Sequence, residues 1–265
     1  MRRKIGINSE CITNENPINT IDKIKKIGFD SFFSVKYKRE EVEKLKNKGD
    51  ALGLVFEFIH APFKEINLLW GENNDELPIY NAIKESIDSA SSCDIKKIIL
   101  HVSSGWEPPA INQYGLARYD SIVEYADKKG VKVAFENLRR ADNLDYMMQR
   151  YKRASNVAFC YDCGHEHCYT ETVSLLDLYG NRLSCVHIHD NHGRDKIDRF
   201  KNNDEHLLPF DGSVDYKKVV ENLDKVGYSG SIMLEVYSAP YTSLSADEFL
   251  LVAKDRAIKI EKMGK

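Results

Sequence analysis

Short apolar runs alternate with longer stretches along the whole sequence, and the apolar residues of the longer stretches recur every three or four positions. The short runs are typical of buried strands, whereas the longer period is typical of amphipathic helices. The short runs predict eight strands: Ile5–Asn8, Ser31–Val35, Gly53–His60, Lys97–His101, Lys132–Glu136, Val157–Asp162, Cys185–His189 and Ser231–Glu235.

A helical stretch or a helix-bearing loop follows each predicted strand. Ile18, Ile21, Ile24 and Ile27 recur at threefold spacing, and Gly28 follows them as a stop signal. The helical pattern returns at 42–45, 79–90, 119–129, 144–151, 216–226 and 246–263, and it is weakest after the sixth strand. Eight such repeats predict a (β/α)8 TIM barrel that forms one domain over residues 1–265. A doubly wound sheet is the alternative, but eight repeats fit a closed barrel better.

Composition excludes several classes of protein. The chain has 265 residues, of which 42% are hydrophobic, so it can bury a sizeable core and is not a disordered chain. A net charge of −3 gives no reason to expect nucleic acid or an anionic membrane as a partner. No apolar run approaches the roughly 20 residues that span a bilayer, and none follows the charged start as in a signal peptide. Six cysteines are too few for a disulfide scaffold, so we expect a cytoplasmic protein with reduced thiols.

Most of the predicted strands end in a side chain that can bind a metal or transfer a proton. These side chains are His60, His101, Glu136, Asp162, His187, His189 and Glu235. In a barrel the carboxyl ends of the strands converge on one mouth, so residues far apart in sequence can meet there. One such residue alone is more often a capped or solvated side chain, but six buried strand ends together need a compensating positive charge. We therefore predict a divalent cation, and the mixed oxygen and nitrogen ligands suit Mn, Mg, Co or Zn.

Two local motifs leave alternatives open. His187 and His189 lie on one face of a strand, so either both rings reach the metal or His189 lies one layer deeper as a core histidine. Cys160 and Cys163 have C-x-x-C spacing, but no second pair completes a zinc site, and Cys160 is predicted to be buried. A more exposed group of side chains could still bind zinc adventitiously: Cys163, His167 and Cys168.

Motifs for nucleotide binding, for zinc-peptidase chemistry and for a nucleophile elbow are absent from the sequence.

Trp106 follows the fourth strand and is predicted either to form a wall of the substrate pocket or only to pack its loop. The polar stretch 191–213 is predicted to cover the barrel mouth. Five loop cations are compatible with a phosphorylated substrate, although such residues are more often solvated surface charges: Lys36, Arg139, Arg140, Arg194 and Arg199.

The motifs at the strand ends resemble those of the xylose isomerase-like barrels, a superfamily that includes sugar isomerases and epimerases, inosose-processing enzymes and endonuclease IV. The matching segments are His60-Ala-Pro, His101 after Ile98-Ile-Leu, Phe135-Glu136-Asn137, Asp162-Cys-Gly-His165, His187-Ile-His-Asp190, Asp204-Glu-His206 and Leu234-Glu235. Each segment is weak evidence, but the ordered set is specific for the superfamily.

The resemblance implies a site and a reaction. The metal ligands of the isomerase and epimerase branch correspond to Glu136, Asp162, His187 and Glu235. The family's seventh-strand ligand lies three residues before an acidic residue, here Asp190, which favours His187 over His189. Glu136 and Glu235 would then exchange a proton through a metal-stabilised enediolate of a small sugar, sugar phosphate or inosose-type polyol. His165 and His206 would contact substrate hydroxyls.

Endonuclease IV, which cleaves abasic DNA with several zinc ions, is the alternative within the same superfamily. Its ligands would correspond to His60, His101, Glu136, Asp162, His165, His187, Asp204, His206 and Glu235. Three segments depart from that family: the residues after His101, after Asn137 and after His206. The last, Leu-Leu-Pro-Phe-Asp-Gly, is closer to the sugar enzymes, although Phe210 stands where those usually have glycine. We therefore favour the isomerase or epimerase.

A barrel that only binds a sugar is the third alternative. Four convergent ligands argue against it, because a binding protein has no need of them. The outer helices could also bury a homo-oligomer interface, which one sequence does not distinguish from ordinary barrel helices.

Overall fold

The computed structural model describes residues 2–72, 77–170 and 173–264, and its centre is one sheet of eight parallel strands. The strands are β1 (Ile5–Asn8), β2 (Ser31–Ser34), β3 (Val55–His60), β4 (Lys97–Leu100), β5 (Lys132–Glu136), β6 (Val157–Asp162), β7 (Leu183–His187) and β8 (Ile232–Leu234). From β1 to β7 each strand pairs with the next, β8 pairs with β1, and an isolated bridge between Ile188 and Leu234 nearly closes the barrel. Backbone bonds from Ile188 N to Met233 O (2.8 Å) and from Glu235 N to Ile188 O (3.1 Å) join β7 to β8. The predicted (β/α)8 barrel is confirmed.

Helices cover the outside of the strands. They are α1 (Pro17–Ile27), α2 (Arg39–Leu52), α3 (Pro78–Ser92), α4 (Gln113–Lys128), α5 (Ala141–Arg150), α6 (Cys163–Tyr169), α7 (Leu175–Tyr179), α8 (Tyr216–Lys225) and α9 (Ala246–Glu261). Two 3-10 helices cover Ile66–Trp70 and Gly180–Arg182. The weak pattern after the sixth strand corresponds to two short helices, α6 and α7, rather than one long helix. In the part of the chain that the structure describes, no helix is long and apolar enough to cross a membrane.

Two predicted strands have a boundary that is wrong by two residues, and β2, β4 and β8 differ from their predictions by one residue at one or both ends. The third strand begins at Val55 rather than Gly53, because Gly53 adopts a left-handed conformation (φ 67°) that ends α2. The seventh strand covers Leu183–His187 rather than Cys185–His189. His189 therefore lies two residues beyond the end of β7, on the side of the barrel mouth.

An apolar layer fills the barrel beneath the mouth. Its members are Phe33, Phe58, Ile99, Ala134, Ala158, Cys160, Cys185 and Met233. The His187 ring stacks on Phe33, with a centroid distance of 5.0 Å. This layer closes the barrel from below, so polar chemistry is confined to the carboxyl ends of the strands.

The cysteines around the sixth strand differ in part from their prediction. Cys160 is buried as predicted, but Cys163 and Cys168, expected to be more exposed, are only 2% and 1% exposed. They are buried because α6 begins immediately after β6 and turns both thiols inward. His167 is half-buried and bonds to Ser213 Oγ (2.9 Å). Cys163, Cys168 and His167 join no metal-ligand group in the described residues, so the adventitious zinc site has no support.

Candidate metal centre

Four side chains from four neighbouring strands converge at the barrel mouth. Glu136, Asp162 and His187 are the last residues of β5, β6 and β7, and Glu235 directly follows β8. Each is at most 6% exposed. One ligand atom from each of the four lies within 4.8 Å of those from the other three. The structure thus brings together the four side chains for which the sequence predicts metal binding.

His187 lies at the centre of these acidic groups. Its Nδ1 is 3.0 Å from Glu136 Oε1, 3.1 Å from Glu235 Oε2 and 3.8 Å from Asp162 Oδ2. Asn137, which sequence reasoning did not single out, fixes the ends of two strands. Asp162 N donates to Asn137 Oδ1, and Asn137 Nδ2 donates to the Asp162 carbonyl oxygen, both at 2.8 Å. Its sequence signal is its place in the segment Phe135-Glu136-Asn137, which resembles the superfamily.

The electrostatics of these groups favour positive charge. Burial alone would raise the pKa of Glu136, but His187 and the hydrogen bonds from His101 and His60 hold it well below its ordinary value. Burial likewise opposes ionisation of Glu235, yet His187 keeps its pKa low. The same carboxylates outweigh burial at His187 and raise its pKa well above its ordinary value. The two glutamates are therefore ionised, and the centre attracts a cation.

Two further histidines approach Glu136 from the side of β3 and β4. His60 Nε2 lies 3.2 Å and His101 Nε2 lies 3.0 Å from Glu136 Oε2. These three side chains form a second group of ligand atoms that meets the first at Glu136. Phe63, which is 45% exposed, stacks on the His101 ring at 4.5 Å between centroids. Nothing in the sequence around Phe63 indicated this contact.

A third group lies on the opposite side of Asp162. It consists of His165, His189, Asp204 and His206, whose ligand atoms also lie within 4.8 Å of one another. His165 Nε2 is 3.1 Å from Asp204 Oδ2, and His206 Nε2 is 3.3 Å from Asp204 Oδ1. His189 Nε2 bonds to Asp162 Oδ1 (3.0 Å), and its ring stacks on His206 at 4.0 Å. His189 is thus fully buried and lies in a different group of possible ligand atoms from His187.

The residues present fit a divalent metal. Three carboxylates and one imidazole form a buried oxygen and nitrogen donor set. His187 Nε2, His101 Nδ1 and His189 Nδ1 are buried and have no hydrogen-bond partner among the described residues. Cys160 also lies near Glu136 and His187, but burial raises the pKa of its thiol well above the ordinary value, which opposes formation of the thiolate ligand.

The segment 191–213 covers the mouth, as predicted. Trp106 Nε1 donates to the Phe200 carbonyl oxygen (2.9 Å), so the loop after β4 and this segment are joined above the site. Asp190 anchors the segment by accepting bonds from Phe210 N (2.8 Å) and Val214 N (3.0 Å). Phe210 adopts a glycine-like φ of 75°. The local turn is therefore kept although the family's usual glycine is replaced.

Comparisons with known proteins agree with this architecture. The chain is 23% identical over 264 residues to the inosose isomerase of Halalkalibacterium halodurans, which covers 94% of this chain and 93% of that protein. It is also 26% identical over 155 residues to the inosose dehydratase of Clostridium beijerinckii, which covers 52% of this chain and 50% of that protein.

Solved structures show the same fold. The IolI protein with a binding zinc atom has a TM-score of 0.77 at 17% identity and covers 98% of both chains. The D-allulose 3-epimerase of a Methylomonas species, in complex with D-allulose, has a TM-score of 0.72 at 15% identity and covers 100% of this chain and 98% of that one. The model of the xylose isomerase-like TIM barrel family matches residues 21–255. The chain therefore belongs to the xylose isomerase-like TIM barrel family.

Proposed function

We propose that the protein is a divalent-metal-dependent isomerase or epimerase of a small sugar or inosose-type polyol. The observation that carries the proposal is the position of Glu136 and Glu235, which both contact His187 Nδ1, at 3.0 and 3.1 Å. Two ionised carboxylates on either side of one ligand position can remove a proton from a substrate carbon and return it. The named relatives include inosose isomerases, an inosose dehydratase and a ketose epimerase, which supports this class of substrate.

Four residues would hold the metal: Glu136, Asp162, His187 and Glu235. When bound, the ion supplies positive charge that stabilises the negative charge developing on the substrate oxygens. His187 must bind as a neutral imidazole, so uptake of the metal releases the proton that the carboxylates hold there. Asn137 keeps Asp162 in place during this exchange.

Proton transfer is assigned to the two glutamates. The Glu235 side chain is 8% exposed and reaches the mouth, whereas that of Glu136 is 0% exposed and is held by His60 and His101. Glu235 is therefore the group that a substrate entering from the mouth meets first. His206 lies beside it, with Nδ1 3.9 Å from Glu235 Oε2, and the His165 ring lies 6.0 Å from the His206 ring. We propose that both donate hydrogen bonds to substrate hydroxyls. Trp106 forms a wall of the same opening.

The endonuclease-like alternative uses the same side chains differently. All nine of its predicted ligands lie in three neighbouring groups, so the arrangement would also accommodate additional zinc ions at His60 and His101 or at His165, Asp204 and His206. The named relatives include an inosose isomerase, a D-allulose 3-epimerase and a 3-keto-D-glucoside 4-epimerase, which favours the sugar enzyme. A non-catalytic barrel is not favoured either. In such a protein the two ionised glutamates beside the metal position would have no role.

Replacing Glu235 tests the proposal. We expect Glu235→Gln to reduce exchange of solvent deuterium into D-allulose or an inosose by roughly 100- to 10,000-fold, because the amide cannot accept the proton. Exchange is measured by NMR on metal-loaded protein, and circular dichroism confirms that the variant is folded. Glu205→Gln is the matched control, since Glu205 bonds to His192 on the covering segment. Exchange that persists in Glu235→Gln would remove Glu235 from proton transfer.

A further inference from the structure

The cations around the mouth differ in how they are neutralised. Arg140 forms an ion pair with Asp142, and Lys36 forms one with Glu41. Arg139 and Arg194 form no ion pair with a carboxylate in the ranges that the structure describes. Both are only half-exposed, so their charges are neither paired nor fully solvated. A guanidinium in such a position is available for an anion from outside the chain.

These two guanidinium groups lie around one indole ring. The Arg194 guanidinium carbon is 4.7 Å from the Trp106 ring centroid, and that of Arg139 is 5.8 Å from it. Arg139 also stacks on Tyr169 at 4.1 Å. The aromatic rings hold both guanidinium planes in place while leaving most of their N–H donors unused.

Few donors of either arginine are engaged. Arg139 Nη2 donates to Asn202 Oδ1 (2.8 Å), and Arg194 Nε donates to the Arg199 carbonyl oxygen (3.4 Å). A guanidinium has five N–H donors, so each arginine retains others for a ligand. Acidic residues of the same loop bind other groups: Asp195 with Lys201, Asp204 with His165, and Glu205 with His192. Asp198 Oδ1 accepts a hydrogen bond from Phe200 N (3.0 Å).

The two arginines lie one aromatic layer above the candidate metal centre. Arg139 follows Glu136 by three residues on the loop after β5. Tyr169, on which Arg139 stacks, itself stacks on the His165 ring at 5.4 Å between centroids. A substrate whose carbonyl lies at Glu136 and Glu235 would therefore extend its distal end toward Arg139 and Arg194.

We propose that the substrate carries an anionic group, a phosphate or a carboxylate, at the end away from the reacting carbon, and that Arg139 and Arg194 bind it beside Trp106. This inference rests on the proposed function, because it assigns the substrate class of the same site. Two guanidinium groups can bind such an anion with paired, charge-assisted hydrogen bonds. A neutral sugar would leave both guanidinium charges beside Trp106 without an anion.

Three forms of one ketose test the inference: D-fructose, D-fructose 6-phosphate and D-fructuronate, each with its 3-epimeric counterpart. Calorimetry on metal-loaded protein measures binding, and deuterium exchange measures turnover. We expect the phosphate or the carboxylate form to bind at least about tenfold more tightly than the neutral sugar. The form that binds more tightly identifies the anion.

Variants locate the binding site. Arg139→Met and Arg194→Met are each expected to reduce the ratio of anionic to neutral binding by about 10- to 100-fold. Arg139→Lys is expected to fall between wild type and Arg139→Met, because it keeps the charge but loses the paired donors. Arg140→Met and Lys196→Met are the controls, since they remove a neighbouring positive charge without removing either proposed contact.

Two results would overturn the inference. One is equal binding of the neutral and anionic forms by the wild type. The other is that Arg139→Met and Arg140→Met have the same ratio of anionic to neutral binding. If the preference for an anion depends on Arg139 but none of these sugars exchanges deuterium, the proposed reaction is refuted and the anion site is supported. Exchange in neutral sugars alone would support the reaction and refute the anion site.

Discussion

Glu136 is the residue on which most contacts of the site converge. Its two oxygens lie within 3.5 Å of four imidazoles: His60, His101, His165 and His187. Burial of a carboxylate costs free energy unless its hydrogen-bonding partners are held in place. Here the ends of β3 to β7 hold those partners. The position of this one side chain therefore couples the three groups of candidate ligands.

The charge of His206 makes metal-free protein sensitive to pH. Burial opposes its protonation, but Asp204 and Glu235 raise its pKa to about 9, against an ordinary value of 6.5. A raised pKa stabilises the folded state fully below pH 6.5, and this stabilisation is lost as the pH rises through 9. The contribution is at most about 3 kcal/mol.

We therefore expect the melting temperature of EDTA-treated protein to fall between pH 6.5 and 9. The fall should be smaller in His206→Gln, which cannot gain or lose that proton. Thermal unfolding followed by circular dichroism at several pH values measures the difference. Equal slopes for wild type and His206→Gln would show that His206 is not charged in the folded protein.

At the scale of elements, the contact between α6 and the end of β7 orients the third group of ligands. Asp162 ends β6 and accepts a hydrogen bond from His165 N (2.7 Å), so it also caps α6. The helix then passes so close to His189 that a Cβ at Gly164 would lie 2.1 Å from His189 Cε1. Only glycine permits this approach, because Asp162 holds the imidazole in place.

Gly164→Ala is accordingly expected to reduce the free energy of unfolding by about 1–3 kcal/mol, because the methyl group forces α6 away from His189. Urea unfolding measures the loss. Gly71→Ala is the matched control, since its Cβ would meet its nearest neighbour, Leu68 O, at 3.4 Å and its φ of −76° suits alanine. A Gly164 variant as stable as the Gly71 variant would mean that α6 is not packed tightly on His189.

At the scale of the whole molecule, metal content distinguishes the sugar enzyme from the endonuclease-like alternative. We expect elemental analysis to find one divalent ion per chain, bound by the four side chains from β5 to β8. Asp162→Asn should lose that ion, whereas His60→Ala should keep it, because His60 contacts Glu136 but belongs to a different ligand group. Added metal should also raise the melting temperature of the apoprotein, since the ion binds the folded state.

Two or three zinc ions per chain would contradict this expectation and favour phosphodiester chemistry. Loss of all metal from His60→Ala would likewise indicate one shared cluster rather than a mononuclear site. Cleavage of a duplex that contains an abasic site would then be the direct assay.

The sequence alone determined the barrel and the residues available for chemistry. The period of apolar residues is a local property, so it predicted eight strands in the correct order, and the chemically active residues at the ends of six of them followed from the same pattern. Motifs that resemble a known superfamily then selected Glu136, Asp162, His187 and Glu235 from the other acidic and imidazole side chains.

Only the tertiary structure decided which side chains meet, because contacts across the mouth join residues that are distant in sequence. It placed His189 with Asp204 and His206 rather than with His187, since β7 ends at His187 and the covering segment folds back over the mouth. It buried Cys163 and Cys168, which lie in a polar stretch, because α6 starts without a linker. Among the described residues it also paired Arg140 with Asp142, whereas the adjacent Arg139 donates to Asn202.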